Sequence, residues 1–254
     1  MRYKIVIEYD GTNTLGWQRQ LDGPSIQEYL ENAVSRLLPN NKLSDKTKSV
    51  EIQGSGRTDA GVHALGQVAH FDLERDIEDW KLRDAINFHL REQDAPVVVL
   101  DVEKVSSEFN ARFSAKKRGY IYRILNRRSP AIIEQNRVWW VPIELDIDAM
   151  REGAKYLLGN HDFSSFRAAA CQAKSPIKTL DKIDIHKNGD EIIFEVEAKS
   201  FLHHQVRNIV GTLKMVGDGS ITPSDIKIIL EAKDRRKAGP TAPACGLYLN
   251  KIWY

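Results

Sequence analysis

The sequence predicts an α+β protein made of two ferredoxin-like (βαββαβ) subdomains, residues 1–105 and 106–254, with their sheets side by side around a basic cleft. Three observations carry that reading. The 254 residues suffice for two modest domains at about 100–200 residues each. Each half repeats the order strand, helix, strand, strand, helix, strand without detectable sequence repetition. One stretch, Arg112 to Arg128, holds seven basic residues and no acid, although the whole chain is only +2.

In the first half, Tyr3 to Tyr9 is a β-prone run stopped by the Asp10-Gly11 turn signal. Ser25 with Glu28 three positions on forms a capping box, and Ile26, Tyr29, Leu30, Ala33, Val34, Leu37 and Leu38 follow at helical spacing. That helix should end near Pro39. Short strands are expected around Val50–Gly54 and Gln67–Leu73, then a helix around Trp80–Leu90 and a buried strand at Val97–Val105. Ser106–Lys117 would join the halves.

In the second half, Tyr120–Leu125 reads as a strand, and Asp146 as the N-cap of a helix carrying Ile147, Met150, Ala154, Leu157 and Leu158 on one face. Ile183 and Ile185 alternate with polar residues up to the Asn188-Gly189 turn pair, and Phe194, Val196 and Ala198 alternate on the return strand. A helix from about His203 to Val216 places Val206, Ile209, Val210, Leu213 and Val216 on one face. Thr222 as N-cap, Pro223 at the first helical position and Asp225 at the third start a short helix, and Gly246–Trp253 supplies the last strand.

With 42% hydrophobic and 28% charged residues, the composition is globular, and fibrous or disordered classes are excluded. The longest clean apolar run, Ala95–Leu100, falls far short of the ~20 residues that cross a bilayer. Met1-Arg2 leads directly into an apolar strand, with no room for a leader, so a cytoplasmic location is expected. Cys171 and Cys245 have neither disulfide-framework nor zinc-knuckle spacing.

The +7 of Arg112–Arg128 leaves −5 for the rest of the chain. Such polarity suits a protein that contacts phosphates, and Tyr120 and Tyr122, two apart on a strand, would share a face as stacking platforms. A solvated basic loop is the plainer alternative. A second acid-free basic stretch runs from Lys199 to Lys214 and includes His203, His204 and Arg207.

Gly54-Ser55-Gly56-Arg57-Thr58-Asp59-Ala60-Gly61-Val62-His63 stands apart. Its small residues leave the backbone open to close approach, and in an extended segment Arg57 and Asp59 project to one side. Composition alone favours a plain β-turn with glycines at positive φ. Val62-His63 stands where a P-loop needs Lys-Ser/Thr, and there is no Rossmann fingerprint, so no nucleotide cofactor is indicated. No His-Glu-x-x-His occurs, and His203 and His204 on a helix would diverge by about 100°, so no metal is expected.

Gly56–His63, followed by Gly66-Gln67-Val68-x-His70-Phe71, resembles the catalytic signature of the tRNA pseudouridine synthase A family. Further segments resemble that family in order along nearly the whole chain: Glu8–Gly11 with Gly16–Gln20, Phe109–Ala115, Asp162–Arg167, Phe201–Gly211 and Gly246–Leu249. The resemblance implies a cofactor-free isomerase converting uridine to pseudouridine at positions 38, 39 and 40 of the tRNA anticodon stem-loop, acting as a homodimer. It makes Asp59 the catalytic nucleophile and Tyr120 the aromatic that stacks on the target base. Arg207 becomes the cation paired with the aspartate, and Arg57 the residue that helps extrude the nucleotide. Gly119 departs from the bulkier residue expected before Tyr120 and would loosen that strand. Phe163 and Phe166 are either pocket-lining or an ordinary core pair, and His203 and His204 either RNA-facing or structural.

Overall fold

The computed structural model describes residues 1–38, 50–169 and 171–254. They form two compact units, Met1–Lys116 with Leu249–Tyr254, and Lys117–Tyr248.

The first unit contains β1 (Arg2–Tyr9), α1 (Ile26–Ser35), β2 (Gln53–Gly54), β3 (His63–Asp72), α2 (Asp79–Arg91) and β4 (Val97–Val105). β1 lies between β4 and β3, antiparallel to both, and β2 adds antiparallel to β3. Along β1, Tyr3, Ile5, Ile7 and Tyr9 are buried at every second position, the pattern of a half-covered strand. Ser25 caps α1 by accepting from the Glu28 amide at 3.3 Å. α1 ends at Ser35, and the expected stop near Pro39 lies outside the described residues. The strand expected over Val50–Gly54 shrinks to Gln53–Gly54. Its earlier residues spend their hydrogen bonds on α1 side chains, Val50 N–H on Ser35 Oγ and Ile52 N–H on Glu31 Oε1.

The second unit holds β5 (Lys117–Leu125), β6 (Trp139–Trp140), α3 (Ile147–Lys155), β7 (Gly159–Asp162), β8 (Ile177–Asn188), β9 (Glu191–Ala198), α4 (Gln205–Gly217) and α5 (Asp225–Ala232). Its strands run in the order β5-β9-β8-β7, with every adjacent pair antiparallel. The Asp146 carboxylate caps α3 through the Ala149 amide at 2.9 Å. That helix stops at Lys155, so Leu157 is buried beyond it while Leu158 is exposed. α5 starts at Asp225 after Ser224 rather than at Pro223 after a Thr222 cap, because the Asp225 carboxylate accepts from Thr222 N–H and Oγ–H at 2.7 and 2.8 Å, bonds that hold its carboxyl below the usual range.

Two expectations shift by a residue or a face. Asn188 pairs with Glu191, so the hairpin turns on Gly189-Asp190, with Gly189 at φ 59°. α4 is buried nearly all round rather than along one stripe, with only Arg207, Lys214 and Met215 partly open.

A last strand, β10 (Leu247–Trp253), lies beside β3, and its residues from Leu249 onward belong to the first unit. The units divide at Lys116/Lys117 rather than at 105/106. Residues 106–116 are tied to the first unit by Ala111 N–H on His70 Nδ1 at 3.2 Å and Lys116 N–H on the Trp253 carbonyl at 2.8 Å.

Candidate active site

The Gly54–His63 segment leaves β2 and enters β3 through a turn in which Val62 N–H donates to the Asp59 carbonyl at 3.1 Å. Gly61, third in that turn, sits at φ 77°, a conformation that favours glycine. A turn is therefore present, with Gly61 alone of the three glycines at positive φ, and it carries Asp59. Side chains alternate as an extended segment requires: Arg57 is exposed, Thr58 buried and Asp59 half-buried.

The inward Thr58 hydroxyl shares a 2.8 Å buried hydrogen bond with Tyr9 OH, and its carbonyl accepts from Trp17 N–H at 3.1 Å. Gly16 packs so closely beneath the loop that a Cβ there would lie 2.4 Å from the Thr58 carbonyl oxygen. A Cβ on Gly54 would meet the Trp17 ring at 2.6 Å. Fully buried Gln67 accepts from Ser55 Oγ–H at 2.7 Å and donates to the Gly56 carbonyl at 3.0 Å. At the far end, buried His63 brings Nδ1 within 3.1 Å of Gly11 N and 3.2 Å of Asp10 Oδ1. The Tyr9–Trp17 segment is thus the floor on which the Asp59 turn rests. Tyr9, Trp17, Gln67 and His63 lie within the motif segments quoted above, but only the hydrogen bonds show what they do.

Arg57 and Asp59 belong to the first unit, Tyr120 and Arg207 to the second. Tyr120 is half-buried on β5 opposite Val196, its ring edge-on to Phe201 at 5.1 Å between centroids. β5 runs unbroken through Gly119, paired with Glu197, so the expected loosening does not occur. Tyr122 is no stacking platform: its ring is fully buried against Phe194 and Trp139, and its OH donates to the Pro243 carbonyl at 2.8 Å. Arg207 is half-buried, with Nε donating to the Ala242 carbonyl at 2.8 Å and its own carbonyl accepting from Ala242 N–H.

His203 and His204 precede α4 instead of riding on it. His204 takes φ 61° and the rings lie 4.0 Å apart, so the expected divergence of about 100° does not describe them. Phe163 and Phe166 are completely buried, 6.1 Å apart, as a core pair.

The part of the basic stretch that lies in the second unit is partly neutralised there. Lys117 pairs with Glu197, Arg123 with Glu191 at 2.7 Å and Glu134 at 3.0 Å, and Arg127 with Asp190 at 3.3 Å. All of these acids but Glu134 lie on or next to β9, the antiparallel neighbour of β5. The run of positive charge is therefore not one uniform field.

A family profile described as tRNA pseudouridine synthase matches residues 5–114 and 154–254. A "tRNA pseudouridine synthase A" of Paramagnetospirillum magneticum is 54% identical over 253 residues, spanning 100% of this chain and 95% of that protein. Proteins of the same name from Rhodospirillum centenum and Agrobacterium fabrum are 52% and 50% identical, each over 100% of this chain and over 99% and 92% of their own lengths. The matched residues span β1 through the 106–114 segment and resume at the end of α3, taking in the Asp59 turn, its Tyr9–Trp17 floor and Arg207, and on these grounds the chain belongs to the tRNA pseudouridine synthase family of isomerases.

Proposed function

We propose that this isomerase converts uridine to pseudouridine at positions 38, 39 and 40 of the tRNA anticodon stem-loop, with Asp59 as nucleophile. The observation that carries the assignment is the rigid turn itself. Ser55, Thr58 and His63, the buried polar residues of the segment, are each held by a buried hydrogen bond, and Asp59 between them is half-buried. The N1–C1′ glycosidic bond breaks, the base turns, C5 bonds to C1′, and the proton on C5 is released as N1 gains one. Nothing enters or leaves but protons, so an oriented carboxylate in a closed pocket suffices and no cofactor or metal is drawn on.

Arg57, exposed beside the turn, is assigned to extrusion of the target nucleotide, a step costing a few kcal/mol. Tyr120, held edge-on by Phe201, is assigned to stacking on the uracil, and Arg207 to keeping the reacting carboxylate ionised. The strand orders β4-β1-β3-β2 and β5-β9-β8 support a ferredoxin-like plan for each unit. Action in the cytoplasm as a homodimer rests on the family resemblance. Among the described residues, no helix is long and apolar enough to cross a membrane.

The test uses tRNA tritiated at uridine C5. The wild-type protein should release tritium from tRNA with uridine at 38–40, and Asp59→Asn should bind that tRNA yet release none. Release by Asp59→Asn at the wild-type rate would remove Asp59 from the chemistry.

A further inference from the structure

Phe113 is 81% exposed on the 110–114 turn, a large apolar ring in water. A single exposed ring is ordinary on a protein surface. What sets this one apart is the backbone that carries it. Asn110 Oδ1 accepts from both Arg112 N–H and Phe113 N–H, at 3.0 and 3.1 Å. Ser114 closes the turn from the other side, its Oγ accepting from Asn110 N–H and its N–H donating to the Asn110 carbonyl.

The residue before the pair is fastened twice more. Ala111 N–H donates to His70 Nδ1 at 3.2 Å, and the Ala111 carbonyl accepts from Tyr254 OH at 2.8 Å. Burial, aided by the charge of Arg2, keeps the His70 imidazole below its ordinary range, so a neutral ring offers the acceptor nitrogen. Phe109 packs edge-on against His70 and at a 51° tilt against the Tyr254 ring, with centroids 4.9 Å apart in the second case. His70 sits on β3 opposite Gln53, the residue that leads into the Asp59 turn, so one strand anchors both loops.

On this platform the exposed Arg112 guanidinium carbon lies 5.6 Å from the centroid of the Phe113 ring. A π-face and a cation, side by side on a turn with its hydrogen bonds satisfied, are the two elements that hold single-stranded RNA: base stacking and phosphate contact. A turn already ordered loses little entropy on binding.

We propose that Arg112 and Phe113 form a second RNA-binding element of this enzyme, in which Phe113 stacks on an unpaired nucleobase of the tRNA and Arg112 contacts a neighbouring phosphate. The proposal rests on tRNA being the substrate, and it names a contact apart from Asp59, Arg57, Tyr120 and Arg207.

Binding of the whole protein to an anticodon stem-loop RNA and to a fully paired duplex of equal length, from about 50 to 200 mM salt, tests it. Phe113→Ala should weaken stem-loop binding roughly 5- to 100-fold without changing the salt slope, and leave duplex binding as it was. Phe113→Trp should restore the stem-loop affinity. Arg112→Ala should flatten the salt slope by about one. Wild-type affinity in Phe113→Ala overturns the proposal, as does an equal loss on the duplex. A change in sedimentation on Phe113→Ala would mean that a second copy of the chain covers the ring, and overturns it too. Tritium release by the wild-type protein separates the two readings: release alongside unaltered binding in Phe113→Ala sinks only this proposal, whereas no release sinks the substrate assignment and this with it.

Discussion

The three glycines around Asp59 have three different surroundings. Gly54 leaves room for the Trp17 ring, Gly61 supplies the positive φ of the turn, and a Cβ on Gly56 would meet nothing within 4 Å. A fourth glycine, Gly16, holds φ 90° beneath the loop with its α-carbon face against the Thr58 carbonyl. Gly16→Ala therefore faces both an unfavourable backbone conformation and a 2.4 Å contact with another main chain. It should lose about 2 kcal/mol or more of stability and most of its activity, because relief of the contact must move the residue next to Asp59. Gly56→Ala should melt within about 0.5 kcal/mol of wild type and, on the proposed binding of RNA over the Asp59 turn, lose turnover only. Thermal melts run beside tritium release check both, and equal behaviour of the two variants would contradict the division of roles.

At the scale of the element, β5 shows why counting charge along a sequence misleads. All three of its cations, Lys117, Arg118 and Arg123, are half-buried and held within the second unit: Lys117 pairs with Glu197 and Arg123 with Glu191 on β9, and Arg118 donates to the Lys199 carbonyl at 2.7 Å. Arg123, bidentate on Glu191 at 2.9 and 2.7 Å, is structural. Arg123→Ala should cost about 1–3 kcal/mol in a denaturant melt and leave the salt slope of tRNA binding unchanged. Exposed Arg128 should do the opposite: its alanine variant should melt normally and bind tRNA with a slope flatter by about one. A flattened slope in Arg123→Ala, with stability intact, would return that residue to the RNA surface.

The same contrast marks how far the elements were legible. Ser25 and Asp146 announced their helices because a cap is a local hydrogen bond, and β4 matched its predicted Val97–Val105 bounds because a buried run carries its own ends. Tyr122, the one-residue slip of the hairpin turn and the left-handed His204 were not legible. Each is decided by a partner distant in sequence or by a single φ: Tyr122 by Phe194 and Pro243, the turn by Asn188 opposite Glu191. The Asp59 turn was located by its motif, but the Tyr9–Thr58 bond that supports it joins residues 49 apart.

For the whole molecule the consequential feature is the return of the chain end to the first unit. No local pattern assigns Leu249–Tyr254 to a partner, since strand pairing is a long-range choice. Yet these residues fasten that unit. Leu249 and Ile252 are buried, the Trp253 carbonyl accepts from the Lys116 amide, Tyr254 OH donates to the Ala111 carbonyl, and Gly66 on β3 lies so close to Asn250 that a Cβ would meet its carbonyl oxygen at 2.5 Å. A chain ending at Tyr248 would leave β3 with an unpaired edge and free the 106–116 segment. Hydrogen exchange should then show lost amide protection along β3 and over 106–116, while the β8–β9 hairpin, whose contacts lie within the second unit, keeps its own. Tyr254→Phe, which removes one hydrogen bond and retains the ring against Phe109, should raise exchange at Ala111 and its neighbours and cost about 1 kcal/mol. Protection of β3 unchanged by the truncation would mean that the first unit holds its sheet without the last strand, and that the chain end is an ornament on it rather than part of its frame.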